Sequence, residues 1–309
     1  MNDKLLTIVI CTHNRAELLM QVIDSLNHVR RPEGYDISLL VIPNACTDET
    51  VSMLQQYLQR RRTDELALRY EEELQAGKSF ALNHAIGMLQ SGFLCFVDDD
   101  HRVDTGYFEA VVSGLERHSD SKIFCGQIIP DWTGEEPAWV HEQGEYKIFP
   151  LPVPHFELGS EERVVDLGSA LPGGGNLVVR RSVFESVGLF STELGPRGHN
   201  LAGSEDSDFV RRALMDGFTI HYLPEMKQYH YVDTDRLRFF YLVRKSFQRN
   251  RTITRVKEGG KTPPVYLWRR LVERLFLMLF SLTASRRRFY AMRTAGTLGE
   301  IVGYLQHKS

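Results

Sequence analysis

Phe93-Leu94-Cys95-Phe96-Val97, followed without a spacer by Asp98-Asp99-Asp100, is the stretch from which the fold of this chain is read. The first five residues are apolar, with β-branched and aromatic members. That pattern describes a short strand buried on both faces, at the centre of a parallel sheet. Three adjacent carboxylates repel one another where a strand leaves a core, and a divalent cation among them relieves the repulsion. In open α/β sheets, ligands bind beyond the carboxyl ends of the strands. The segment therefore reads as a site for a metal and a phosphate-bearing ligand. A solvated acidic turn or a helix N-cap is the plain alternative.

Upstream of this strand the same alternation recurs. Leu5–Cys11 is an apolar, β-branched run that ends in the turn Thr12-His13-Asn14-Arg15, and Leu18, Leu19, Val22, Ile23 and Leu26 then keep helical spacing. Ile37–Ile42 is the next strand and ends in Pro43-Asn44-Ala45-Cys46-Thr47-Asp48, which is turn chemistry; Thr47 or Asp48 can cap the helix that carries Val51, Leu54 and Leu58. Leu66–Tyr70 is a short strand, and Gly77-Lys78-Ser79 opens a helix running from about Phe80 to Leu89. Four strand–helix alternations imply a mostly parallel, doubly wound sheet. Its loops gather at one edge. There Gly77 permits close backbone approach, and a helix N-terminus with Lys78 favours a phosphate. Neither G-x-G-x-x-G after the first strand nor G-x-x-x-x-G-K-[ST] occurs, which argues against a dinucleotide fold and a P-loop.

Downstream, Ile123–Ile129 and Leu177–Val179 read as strands, Pro130–Pro154 as surface loop, and Pro172-Gly173-Gly174-Gly175-Asn176 as a flexible turn. Phe190–Ala202, with Gly195, Pro196 and Gly198, reads as a moving loop that closes over ligands. Ser204-Glu205-Asp206 starts a helix with Phe209, Val210, Ala213 and Leu214 on its apolar face, and helix capping alone would explain that acidic pair. His230 lies in the polar-aromatic run after the strand His221-Tyr222-Leu223-Pro224.

The 309 residues are 42% apolar and 25% charged, as expected of a soluble globular chain. The net charge of −3 hides an asymmetry: from Arg236 onward there are 17 Lys+Arg against 3 Asp+Glu, net +14, leaving 20 against 37, net −17, before it. A basic tail on an acidic body points to an anionic surface. Leu237–Phe247 and Tyr266–Leu282 read as helices, and arginines flank the apolar Leu275–Phe280 on both sides. Such a helix lies in a membrane interface or forms a dimer seam. Cys11, Cys46, Cys95 and Cys125 form no C-x-x-C pair and read as reduced residues of a cytosolic protein. Neither a secretory leader nor a spanning helix is expected.

Taken in order, Cys11–Leu19, Asn44–Thr50, Gly77–Asn83, Val97–Asp100 and Gly203–Asp206 resemble the family 2 glycosyltransferases, and the likeness extends over about residues 5 to 232. The resemblance implies the GT-A fold, a Rossmann-like, mostly parallel central sheet flanked by helices. It implies residues 1–235 as the catalytic domain, with a nucleotide-sugar half to 120 and an acceptor half from 121, and 236–309 as a basic C-terminal helical extension. It further implies inverting transfer from a nucleoside diphosphate sugar with Mg²⁺ or Mn²⁺. By the same resemblance Thr12, His13, Asn14, Arg15 and Asn44 face base and ribose, and Asp48 helps hold that pocket. Gly77, Lys78 and Asn83 lie along the donor. Asp98 and Asp99 face ribose and sugar, Asp100 ligates the metal with Asp98 and His230 beside it, Asp206 is the general base, and Glu205 sits on the acceptor. Members often carry an acidic pair where this chain has Pro43-Asn44. An amide can bond a base edge, so guanosine and thymidine stay open beside uridine.

The residues support this chemistry directly. Displacing a diphosphate from an anomeric carbon needs a cation for the leaving group and a base for the acceptor proton, and Asp98–Asp100 and Glu205-Asp206 supply them. A sugar nucleotidyltransferase would carry a glycine-rich basic loop near the N-terminus, and Cys11–Arg15 has no glycine. A non-catalytic nucleotide-sugar-binding scaffold would not need both carboxylate sets. A nucleic-acid partner is not expected, because the tail interleaves its basic residues with Leu and Phe. The expected partners are thus the donor, a glycan or lipid-linked acceptor, and a membrane surface or a second copy through 264–309. The expected location is the cytoplasm, peripherally at the inner face of the membrane.

Overall fold

The computed structural model describes residues 4–148, 153–194 and 205–306. The closing loop expected over 190–202 lies mostly outside them. The chain divides into two compact units, Met1–Asp131 with Pro154–Tyr231, and Trp132–Val153 with Val232–Ser309.

The first unit begins with β1 (Leu5–Thr12), α1 (Ala16–Asn27), β2 (Asp36–Pro43), α2 (Thr50–Arg60), β3 (Ala67–Tyr70), α3 (Lys78–Met88) and β4 (Phe93–Phe96). It continues with β5 (His101–Val103), α4 (Tyr107–Arg117), β6 (Ile123–Asp131), β7 (Arg163–Val165), β8 (Leu177–Arg180), α5 (Val183–Val187), α6 (Glu205–Met215) and β9 (Ile220–Tyr231). The strands form one sheet in the order β3-β2-β1-β4-β8-β6-β9-β5, with β7 on β9. β3, β2, β1 and β4 are parallel neighbours, as the strand–helix alternation predicts. β8 then joins β4 antiparallel, so the second half of the sheet is mixed.

Both faces of the sheet are covered. Along β1, Leu6, Ile8 and Ile10 pack with Leu19, Ile23, Phe108 and Val111 of α1 and α4, while Val9 packs with Ala81, Ala85 and Ile86 of α3. The two-residue period of a strand sends alternate side chains into two cores, and burial on both sides is why β1 and β4 read as unbroken apolar runs. β4 is buried at all four positions, so the strand on which the sequence reading turns is central.

In the second unit the Trp132–Val153 segment is not a free surface loop. Val140 and Val153 form a small apolar cluster with Val232 and Leu237, and Trp132 and Trp139 pack against it. Arg288 pairs with Glu142 at 2.6 Å and lies over the Trp139 ring. The helices are α7 (Phe239–Glu258), α8 (Val265–Leu279) and α9 (Ala284–Leu305). α9 has no counterpart in the sequence reading. Gly296, Gly299 and Gly303 weaken its intrinsic helicity, yet they line the face that meets α7. A Cβ at Gly299 would stand 2.2 Å from the Phe247 carbonyl oxygen, and one at Gly303 2.6 Å from that of Arg251. Backbone-to-backbone packing here outweighs propensity. Among the described residues no helix is long and apolar enough to cross a membrane.

Candidate active site

The loops after β1, β2 and β3 are sewn together by two asparagines. Asn14 takes a left-handed backbone (φ 53°), a conformation Asn tolerates. Its Oδ1 accepts from the Thr47 and Asp48 amides at 2.7 and 3.3 Å. Asn44 is buried, and its Nδ2 donates to the carbonyls of Glu73 and Gln75 at 3.1 and 2.7 Å. Its Oδ1 accepts from the Gly77 amide at 2.7 Å. Both amide protons and the oxygen are therefore occupied, and Asn44 shapes the loop before α3 instead of presenting its amide to a base. A residue in that place must both donate and accept, which an amide does. His13 Nδ1 contacts the Asn44 carbonyl at 2.7 Å, and Thr12 is buried at the strand end. Asp48 receives Thr50 N at 3.1 Å and Ala16 N at 3.4 Å, so it caps α2 and steadies α1. Asn83 likewise clamps the Phe190 backbone, donating to its carbonyl at 2.9 Å and accepting from its amide at 3.0 Å.

The acidic triplet is met by cations from the chain itself. Arg15 Nη1 lies 2.7 Å from Asp99 Oδ1 and 2.7 Å from Asp100 Oδ2. Lys78 Nζ lies 2.5 Å from Asp98 Oδ1. Burial works against both cation and acid here, but the Lys78 ammonium holds the Asp98 carboxyl well below the usual carboxylate range. Burial works to lower the Lys78 affinity for its proton, and Asp98 and Glu205 more than restore it. Burial also pushes the Asp99 carboxyl up against the pull of Arg15. Within the triplet Asp99 is buried and tied to Arg15.

The metal-ligand geometry adds a residue that the sequence reading missed. Ligand atoms of Asp100, His101 and His230 lie within 4.8 Å of one another, while Asp98 is drawn to Lys78. His101 stands directly after the triplet; its pairing across β5 and β9 with His230 brings it in. His101 Nδ1 lies 2.7 Å from Gln228 Oε1. The Gln228 amide nitrogen reaches the Phe96 carbonyl at 3.3 Å, which only accepts, and that fixes its orientation. His101 Nδ1 therefore donates to Gln228. His101 Nε2 is buried without a hydrogen-bond partner among the described residues, 3.9 Å from Asp100 Oδ1. His230 Nδ1 donates to the Tyr231 carbonyl at 2.6 Å, leaving its Nε2 free 3.6 Å from Asp100 Oδ2. Two imidazole lone pairs and one carboxylate facing a common point fit a divalent cation, and the hydrogen bonds on the far nitrogens are the partners such ligands need. Tyr107 and Asn176 complete the support: Gln228 Nε2 lies 3.0 Å from both the Tyr107 hydroxyl and Asn176 Oδ1.

Asp98, Lys78, Gly174, Glu205 and Asp206 line one cleft, together with Cys11. The triplet and the acidic pair, more than 100 residues apart in sequence, thus meet. Asp206 Oδ2 accepts from the Gly174 amide and Oδ1 from the Ser207 amide, each at 2.7 Å. Glu205 is buried, its Oε2 has no hydrogen-bond partner among the described residues, and burial raises its affinity for a proton. The three glycines expected to form a flexible turn instead pass between the two acidic groups. A Cβ on Gly175 would meet Asp98 Oδ2 at 2.5 Å and His101 Cε1 at 2.7 Å. Gly175→Ala is therefore expected to displace both side chains and lower turnover at least about tenfold, as misplacement near 1 Å does. Wild-type rates in a folded Gly175→Ala protein would contradict this geometry.

Residues 7–188 match the profile of glycosyl transferase family 2, more than half of the chain. The chain belongs to that family. As a family 2 glycosyltransferase it is 22% identical over 244 residues to the glucosyl-dolichyl phosphate glucuronosyltransferase of Haloferax volcanii, covering 78% of this chain and 74% of the relative. Its fold is that of the mannosyltransferase PcManGT from Pyrobaculum calidifontis, solved with GDP-Man and Mn²⁺ (TM-score 0.58, 16% identity, 96% and 85% of the two chains). It also matches S. aureus TarS 1–349, solved with UDP-GlcNAc (TM-score 0.54, 15% identity, 97% and 90%). At these identities the two structures speak for the GT-A fold.

Proposed function

We propose that this glycosyltransferase transfers a sugar from a nucleoside diphosphate sugar to an acceptor hydroxyl with inversion, in polysaccharide, glycan or glycolipid synthesis. The observation that carries the metal-dependent form of this reading is the convergence of ligand atoms of Asp100, His101 and His230 within 4.8 Å, with His101 Nε2 buried and without a hydrogen-bond partner among the described residues. These three residues would hold Mg²⁺ or Mn²⁺, which supplies positive charge to the leaving diphosphate. Arg15 pairs with Asp100 at 2.7 Å and holds it in place, and Lys78 sets a second positive charge at Asp98. Asp206, held by two backbone amides, accepts the proton of the acceptor hydroxyl as that oxygen bonds to the anomeric carbon and the diphosphate oxygen departs. Glu205 lines the acceptor side. Thr12–Arg15, Asp48 and Gly77 frame the nucleotide. The expected test result is metal-dependent hydrolysis of one donor within a panel of uridine, guanosine and thymidine diphosphate sugars, without acceptor. Inactivity toward every donor, or activity indifferent to chelator, overturns the reading.

A lipid-linked acceptor at the cytosolic face of a membrane is supported by α8. Val265, Trp268, Val272, Phe276 and Leu279 recur at helical spacing and are 83%, 48%, 68%, 58% and 64% exposed. Such an apolar stripe with basic neighbours suits an interface, where each Lys or Arg near anionic lipid contributes about 1 kcal/mol. The name of the Haloferax volcanii relative, which places a dolichyl phosphate in its substrate, points the same way. The full-length chain is expected to float with anionic liposomes at low salt, and Phe276→Ser with Leu279→Ser to abolish flotation. A chain that never floats, and whose dimer is lost in the same variant, would make the stripe an oligomer seam.

A further inference from the structure

A second cavity, of about 430 Å³, is enclosed by α7, α8 and α9. Every residue lining it belongs to the unit of Trp132–Val153 and Val232–Ser309, and none takes part in the chemistry above. Its wall carries Lys245, Arg249, Arg270, Arg274 and Arg293, against a single carboxylate, Glu300. Glu300 stands 3.6 Å from Arg270. Arg274 is held by neutral acceptors, the Arg293 carbonyl at 3.1 Å and the Thr297 hydroxyl. The rest of the wall includes Leu242, Ile253 and Met292. Burial and then the neighbouring cations lower the proton affinity of Lys245 and Arg274, with Glu300 and Glu273 acting the other way on Arg274. Lys245, Arg270 and Arg274 are half-buried, and an anion in the cavity would offset the cost of gathering their charges there.

We propose that this cavity binds a phosphate ester, the phosphate on the arginine wall and the organic part against Leu242, Ile253 and Met292. The volume falls in the range of small-molecule sites, roughly 300–1,000 Å³. It exceeds what a bare phosphate would fill. Guanidiniums suit phosphate because their forked donors match two of its oxygens. The mixed wall selects an amphiphilic anion over an inorganic one. The site is independent of the donor reading, since it shares no residue with the donor cleft.

The test uses the full-length protein and three probes: inorganic phosphate, hexyl phosphate, and vesicles of phosphatidylcholine with phosphatidic acid. Hexyl phosphate is expected to bind more tightly than inorganic phosphate, and more weakly as salt rises. Arg249→Gln with Arg293→Gln, two exposed side chains, should weaken binding about tenfold or more. Lys78→Gln in the other unit should leave it unchanged. Vesicle binding with the same dependence on Arg249 and Arg293 assigns a lipid phosphate, and hexyl phosphate binding without vesicle binding assigns a soluble ester. Arg249→Gln alone serves if the double variant unfolds. No binding of any probe at low salt, or binding equal in wild type and variants, overturns the proposal. So does binding lost only in Lys78→Gln.

Discussion

Asp206→Asn is expected to reduce turnover by about 10²–10⁴-fold, the usual contribution of a positioned general base, with donor affinity almost unchanged. The amide is isosteric, but the Gly174 and Ser207 amides bond different oxygens of Asp206, so the single oxygen of Asn keeps one of the two bonds, and thermal unfolding of the variant checks that it folds. The measurement is single-turnover transfer beside equilibrium donor binding. Collapse of donor affinity with turnover per bound donor preserved would make Asp206 a binding residue.

Asp100→Asn is expected to lower transfer by about three orders of magnitude or more, since the charge it would provide for a cation contributes several kcal/mol and each 1.36 kcal/mol is tenfold. Asp100 also accepts from Arg15 and faces His230, so the substitution would remove the proposed metal ligand and the partner of Arg15 together. His101→Gln separates the two roles. It leaves the Arg15 contacts in place and removes the imidazole lone pair, so metal-dependent donor binding should weaken while the thermal midpoint moves less than for Asp100→Asn. Full activity of Asp100→Asn, or activity persisting in excess chelator, would rule out a metal at this position.

Much of the catalytic unit was legible because its strands are buried on both faces. β1, β2 and β4 announce themselves as apolar runs, and their loops fall at one edge by topology alone. β5 was missed because three residues, His101–Val103, are too short to show a period. His101 was missed with it, since its role comes from pairing with His230 across 129 residues. A histidine directly after an acidic strand end was the available signal. Asn44 was read as facing base and ribose and Asn83 as lying along the donor, but their hydrogen bonds run to the backbone. Short-range sequence cannot say whether an amide in a polar loop serves a ligand or the loop. The glycine run was read as flexible because its packing partners lie far away in sequence. α9 was hidden by glycines whose value lies only in the approach of α7.

The strip Gly173–Gly175 has a consequence for how the reaction centre is dimensioned. On one edge Gly175 abuts Asp98 and His101; on the other, the Gly174 amide grips Asp206. The gap between the groups proposed to receive the leaving charge and the group proposed to receive the proton is therefore gauged by one bare peptide strand. Bond lengths, not rotamers, set that gauge. A side chain added there would act as a shim, and sugars of different bulk must be accommodated elsewhere along the cleft. Divergence in donor choice should accordingly be sought in the loops after β1 and β3, with the strip as the fixed calliper around which those loops can change.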